Sequence, residues 1–384
     1  MGIVASVLSS SAVGEKINEW YMYIRRFSIP DAEYLRREIK EELAGLEDDQ
    51  DLHLYYSLME FRHNLMLEYL EPLESQRIEE QPRLSDLLAD IDKKQARLTG
   101  RLDYYFNFFR GMYELECREY LSAIQFFKKA ESKLTYVKDH IEKAEFYFKM
   151  SEVYYYMKQT YVSMDYARQA YLIYKDAEKY NIRLTQCHSL FGANYLDVKQ
   201  YDHAISHFQK AYTMAELEQQ PQLMGRTLFN IALCHNNQNN KVEAIPHLKE
   251  AIAVFEKAQM SHSLPQPYFL LTQIYFKLKN IDNAYDYHKK GISICKEIDD
   301  IIYEEKFKFL EYLYMPDPRD TLINDCLHFL ENKLMYADIE ELALDVAKYY
   351  YTQEEYKKAS VYFLKVEEAR QQIEGGVNLY EIEV

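Results

Sequence analysis

The chain has 384 residues, a net charge of −16 and a mean hydropathy of −0.46. No apolar run reaches the roughly 18 residues of a membrane span, and so acidic a surface repels phosphate backbones, which excludes direct nucleic-acid binding as a main role. It carries 10 Gly and 9 Pro, where an average chain of this length has roughly 27 and 19, so long helices on short connections are expected and the fold class is all-α.

Residues 1–73 carry three apolar stripes at helical spacing: Ile17, Trp20, Ile24 and Phe27, then Leu35, Ile39, Leu43 and Leu46, then Leu54, Leu58, Phe61 and Leu65. Ser28-Ile29-Pro30-Asp31 and the acidic run Glu47 to Asp51 separate them, so a three-helix bundle is predicted. This segment holds 7 basic and 14 acidic side chains, a net −7 that does not suit a DNA-reading helix. Residues 74–100 read as a polar linker followed by a helix from about Leu84 to Arg97. Tyr104, Tyr105, Phe106, Phe108 and Phe109 are expected to pack that helix against the first repeat.

From residue 101 onward the chain repeats. YLSAIQFFKKAE at Tyr120, YDHAISHFQKAY at Tyr201, KVEAIPHLKEAI at Lys241 and IDNAYDYHKKGI at Ile281 are alike, with looser copies at Tyr161 and Tyr356. Their first small residues are Ala123, Ser163, Ala204, Ala244, Ala284 and Ala359, and the first five are spaced by 40, 41, 40 and 40 residues. Twelve positions earlier stand Gly111, Ser151, Gly192, Ala232, Thr272 and Ala347. Small residues so placed let antiparallel helices approach closely, which is the pattern of a tetratricopeptide array, here longer than the usual period of about 34. Residues 295–355 fit less well and are read as a degenerate helical pair that includes TLINDCLHFLEN.

The first helix of each repeat should show an inner face at intervals of four, three and four. It gives Glu145, Lys149, Glu152 and Tyr156; Gln186, Leu190, Ala193 and Asp197; Arg226, Asn230, Leu233 and Asn237; then Gln266, Leu270, Gln273 and Lys277. Polar side chains recurring on a concave face suit an extended peptide backbone. Asn230 can donate to and accept from a peptide amide, and Asp197 suits a basic side chain or free amine. Glu145, Glu152, Gln186, Arg226 and Asn237 are further candidate contacts. The alternative role for all of them is hydrogen bonding within the array. His203 and His207 stand one helical turn apart but lack an evident third metal ligand, and Cys187-His188 lacks an orienting partner for nucleophilic catalysis. No metal or cofactor motif stands out. Five unpatterned cysteines read as reduced thiols of a cytoplasmic protein.

KINEWYMYIRRFSIPDAE, DLHLYYSLMEFRHNLMLEYLEP, FFRGMYE, the repeats and the terminal LYEIEV together resemble the Rap family over essentially the whole chain. The resemblance implies a three-helix bundle over 1–73, a linker over 74–100 and a superhelical repeat domain over 101–384. It also implies inhibition by a secreted and re-imported Phr signalling peptide bound in the repeat groove, at positions that Asp197 and Asn230 match. Rap proteins either drain phosphate from a sporulation response regulator or sequester the DNA-binding domain of a competence regulator, and mobile-element members antagonise other repressors. Overall likeness is to the competence-inhibiting subgroup. Glu47, Asp48, Asp49 and Gln50 are the expected regulator contacts, and Gln50 matches the glutamine that phosphatase members insert into the receiver site. A glutamine amide can align a water opposite a leaving carboxylate, but sequestering members carry the same residue, so both routes stay open. Any Mg²⁺ would belong to the partner.

Overall fold

The computed structural model describes residues 9–46, 49–70, 84–93, 98–314 and 318–378. Among these lie 18 α-helices and two short 3₁₀ turns. The chain divides into two compact units, one ending at Leu223 and the other beginning at Met224.

The first unit opens with α1 (Ser10–Arg25), α2 (Ile29–Leu43) and α3 (Gln50–Leu70), which pack on one another as the predicted bundle. Ser9 caps α1 through its hydroxyl, which accepts from the Ala12 amide, and Pro30 stands in the first turn of α2, where its missing N–H costs nothing. The three stripes form the core: Ile17, Trp20, Ile24, Leu35, Ile39, Leu43, Leu54, Leu58, Phe61 and Leu65 are all buried. Two expected members differ. Leu46 lies beyond the end of α2, and Phe27 lies beyond α1 in a left-handed backbone conformation (φ 58°), which turns its ring toward Arg183.

Trp20 donates its indole N–H to Nδ1 of His63 (2.9 Å), and the other ring nitrogen of His63 meets Glu33 (3.0 Å). Nδ1 must therefore accept, which requires the neutral Nε2–H form of His63. The linker helix is described over α4 (Leu84–Asp92), and residues 74–83 and 94–97 lie outside the described residues.

Six helices complete the unit as three antiparallel hairpins: α5 (Gly100–Glu116) with α6 (Tyr120–Lys133), α7 (His140–Tyr156) with α8 (Thr160–Lys175), and α9 (Asn181–Asp197) with α10 (Tyr201–Leu217). The aromatic run expected to face the linker helix sits on α5 and faces the bundle: Tyr105 and Phe109 pack edge-on to Tyr21, and Tyr105 stacks on Tyr55. Phe108 turns the other way, against Phe127 and Phe146 of the repeats.

The second unit begins inside α11 (Pro221–Asn237) and continues through α12 (Lys241–Lys257), α13 (Pro265–Lys277), α14 (Ile281–Glu297), α15 (Ile301–Tyr314), α16 (Asp320–Asn332), α17 (Tyr336–Thr352) and α18 (Tyr356–Asn378). The degenerate stretch is thus a helical pair, α15 with α16, the latter being the TLINDCLHFLEN segment.

The twelve-residue pairs meet as predicted. Ser163 Oγ donates to the Ser151 carbonyl (2.9 Å), and a Cβ on Gly111 would lie 3.2 Å from the Ala123 carbonyl; a Cβ on Gly192 would lie 2.6 Å from the Phe208 ring, one turn beyond Ala204, so only glycine admits that contact. One helical turn further on, a second register of twelve-residue pairs carries stacked rings. Tyr154 stacks on Tyr166, Tyr195 on His207, His235 on His247, Tyr275 on Tyr287 and Tyr350 on Tyr362, with centroids 5.5–6.0 Å apart in every ring pair. These rungs account for part of the tyrosine excess, and each is worth about 1 kcal/mol beyond the area it buries.

The hairpin turns explain the shortage of glycine. Arg118, Lys158, Lys199, Asn239 and Lys279 end successive first helices in the left-handed region, where glycine is usual.

Candidate functional site

The bundle and the first repeats share a charged seam. Arg25, near the end of α1, reaches across to Asp139 (2.6 Å) and Glu142 (3.2 Å) at the start of α7, and its guanidinium covers the Tyr21 ring at 4.5 Å. Glu142 is fully buried and also accepts from the Tyr104 hydroxyl (3.0 Å). Burial pushes its carboxyl up to about 7, against the pull of Arg25.

One turn on, Glu145 is buried as deeply but is surrounded differently. Arg62 of α3 approaches it to 3.6 Å, Arg183 of α9 donates through Nε (2.6 Å) and a second nitrogen, and Tyr174 donates through its hydroxyl (2.6 Å). Burial raises this carboxyl too, but the two guanidiniums outweigh it and hold Glu145 below the usual carboxylate range. Arg183 also donates to Gln186 (2.8 Å) and covers the Phe27 ring at 4.7 Å. A narrow cleft beside these pairs is lined by Phe27, Arg62 and Met66 of the bundle and by Lys149, Glu152 and Gln186 of the repeats. Lys149 pairs with Glu152 at 2.6 Å.

Three of the predicted groove residues, Glu145, Glu152 and Gln186, therefore stand at or beside the seam. Asp197, at the end of α9, takes an ion pair from Lys158 (2.8 Å) in the preceding hairpin. Arg226, Asn230 and Asn237 lie on α11, where Asn230 is half-buried and the other two are exposed. Further along the same register in the second unit, Gln273 is fully buried and donates to Asp345 (2.8 Å), which also pairs with Lys277 at 2.8 Å. Inner-face spacing names Gln273 but not Asp345, whose helix lies in the stretch 295–355 of poor register.

At the other end of the bundle, Gln50 is the first residue of α3 and is exposed. Asp49 holds the helix start: its carboxylate accepts from the Leu52 amide (3.1 Å), and the Ser10 hydroxyl together with that amide keeps it below its ordinary value. His53 meets the Leu46 carbonyl at 3.1 Å and ties the same turn to the end of α2. Glu47 and Asp48 lie outside the described residues.

The candidates for other chemistry have structural partners. Cys187 is buried and its thiol is pushed far up by burial, which is the reverse of an activated nucleophile. His203 and His207 both stack on Tyr195, and His207 meets His188 at 3.0 Å. Among the described residues no three His, Cys, Asp or Glu side chains form a metal-binding group, and no helix is long and apolar enough to cross a membrane.

Residues 7–68 match the family model for the N-terminal domain of response regulator aspartate phosphatase H, and residues 186–257 match a tetratricopeptide-repeat model. The chain is 70% identical to regulatory protein RapF of Bacillus subtilis (strain 168), over 99% of this chain and 100% of that one. This chain belongs to the Rap family. It is 54% identical to regulatory protein RapC of the same organism, over 99% of this chain and all of that one, and 40% identical to response regulator aspartate phosphatase A, over 98% of each. Among solved structures, a Rap protein complexed with competence and sporulation factor matches with a TM-score of 0.84 at 37% identity, covering 95% of this chain and 99% of that one. The crystal structure of aspartyl phosphate phosphatase F from Bacillus subtilis matches with a TM-score of 0.72 at 70% identity, covering all of both chains.

Proposed function

We propose that this Rap protein is a cytoplasmic, peptide-controlled sequestering regulator. Its bundle binds a response regulator, of the competence type or another transcription regulator, and blocks DNA binding. A short Phr-type peptide in the repeat groove, held by Asp197 and Asn230 with help from Glu145, Glu152, Gln186, Arg226 and Asn237, favours the docked bundle and releases the regulator. The observation that carries this reading is the cleft at the seam, where Glu152 and Gln186 of the groove line the same space as Arg62 of the bundle. A ligand contacting those groove side chains bears directly on how firmly the bundle sits. The chain matches a Rap protein complexed with competence and sporulation factor at a TM-score of 0.84 and an apo Rap protein of similar identity at 0.74, which supports assigning the docked arrangement to the ligand-favoured state.

Relatives that are 70% and 54% identical are named regulatory proteins, while a solved structure at 70% identity is named a phosphatase. A second reading rests on Gln50, exposed on a turn fixed by Asp49 and His53. There it is free to enter a receiver site and position water against an aspartyl phosphate. Phosphate followed on a labelled sporulation response regulator separates the two: sequestration predicts no accelerated loss, and rapid loss abolished by Gln50→Ala would establish the phosphatase.

A further inference from the structure

The seam contains one carboxyl whose surroundings differ from all others in it. Glu142 is fully buried between α1, α5 and α7. It faces Tyr21 and Arg25 of α1, Tyr104 and Tyr105 of α5, and Asp139 and Glu145 of its own helix, with Tyr55 and Arg62 of α3 in the surrounding layer. Its one cation, Arg25, is shared with Asp139, and Arg25 approaches Asp139 more closely, at 2.6 Å against 3.2 Å. Glu145, by contrast, pairs with two guanidiniums, those of Arg62 and Arg183, the latter also donating to Gln186. A proton on Glu142 therefore leaves Arg25 its better partner, whereas a proton on Glu145 would strand two buried guanidiniums. The Tyr104 hydroxyl can turn to accept from a protonated Glu142 instead of donating to it.

We infer that docking of the bundle onto the repeats takes up a proton at Glu142, so that acidification closes the seam and alkalinity opens it. The inference rests on the proposed ability of the bundle to leave the repeats, since undocking removes Arg25 and returns Glu142 to water. The sign follows from linkage. Docked, the carboxyl titrates near 7; in water it titrates in the ordinary carboxylate range. A group raised in the docked state contributes its full stabilisation below its free value and loses it as pH rises through the docked one. Asp139 and Glu145 are held low when docked, so their contribution changes only at lower pH. Between pH 6 and 8 Glu142 dominates the seam's response, and the docking constant rises about tenfold from pH 8 to pH 6.

The test uses the full chain with a fluorescent pair at Cys117, the exposed native thiol, and at Tyr34→Cys, on a residue 69% exposed in α2. Transfer efficiency is read from pH 8 to pH 6. The wild-type background should move toward the docked value as pH falls, and Glu142→Gln, which mimics the protonated carboxyl, should sit at that value throughout. A flat wild-type profile, or an unchanged slope in Glu142→Gln, overturns the inference. Arg25→Ala distinguishes the larger failure: if it too keeps the docked efficiency at every pH, the bundle does not leave and the moving-bundle reading falls with it. Should Glu142→Gln not fold, carbon-13 titration of the glutamate carboxyls in the wild-type chain decides. One carboxyl titrating near 7 that returns to the ordinary range in Arg25→Ala supports the inference, and its absence refutes it.

Discussion

The seam and the interiors of the repeats are built from opposite chemistry. Inside the repeats, glycine or alanine faces a ring and rings stack on rings, as where Phe208 fills the space over Gly192 and Tyr195 stacks on His207. At the seam, Arg25, Arg62 and Arg183 meet Asp139, Glu142 and Glu145. Apolar packing gains free energy from every square ångström of surface removed from water, whereas buried ion pairs nearly cancel their attraction against the cost of desolvation. The repeats are therefore a stable frame, while the seam adds to the aromatic contacts of Tyr21 and Tyr55 with α5 a set of charges whose net contribution is small. That is what a bundle exchanging between its own repeats and a partner requires.

The largest expected effect comes from attacking the frame. Phe208→Ala should cost about 3–5 kcal/mol and lower the thermal midpoint of the whole chain, read by circular dichroism. Removing a seam cation should behave differently. Arg25→Ala leaves Glu142 buried without its cation, a penalty of about 3 kcal/mol that undocking relieves. Transfer between labels at Cys117 and position 34 should fall while the melting of the repeats barely moves; a cooperative loss of both would mean that seam and frame are one structure.

The bundle carries its own pH response, of opposite sign. Burial lowers His63, against the pull of Glu33, so its contribution is full above the ordinary histidine value and is lost as pH falls through the depressed one. Protonating Nδ1 breaks the bond from Trp20, the single tryptophan, so its emission should shift on acidification in the wild type and not in His63→Gln. The smallest effect is a gain. Lys199 ends α9 in the left-handed region (φ 60°), and Lys199→Gly should raise stability by about 1 kcal/mol in a denaturant titration without changing docking.

Most of the frame was legible in the sequence because close packing demands small residues at fixed intervals. Ala123, Ser163, Ala204, Ala244 and Ala284 gave the period, and their partners twelve positions earlier gave the hairpin. The ring rungs follow the same interval one turn on and could have been read from Tyr154 with Tyr166 or Tyr275 with Tyr287. The low glycine count implied short turns correctly, but not that lysine, arginine and asparagine would occupy left-handed positions. The seam was not legible. Arg25, Glu142 and Arg183 lie far apart in sequence, and each alone reads as a solvated charge on a helix. Inner-face spacing named Glu145, Glu152 and Gln186 for a peptide, but periodicity could not say that the bundle would lie against them.

The central claim is that the bundle captures a regulator and that a peptide in the groove releases it. Its most direct test is the association of the full chain with the purified DNA-binding domain of a competence-type response regulator, followed by biolayer interferometry with and without short Phr-type peptides. The account predicts a complex that forms without peptide, dissociates as peptide is added, and resists peptide in the Asn230→Ala chain. A complex indifferent to peptide, or no complex together with Gln50-dependent loss of phosphate from a receiver domain, would contradict it.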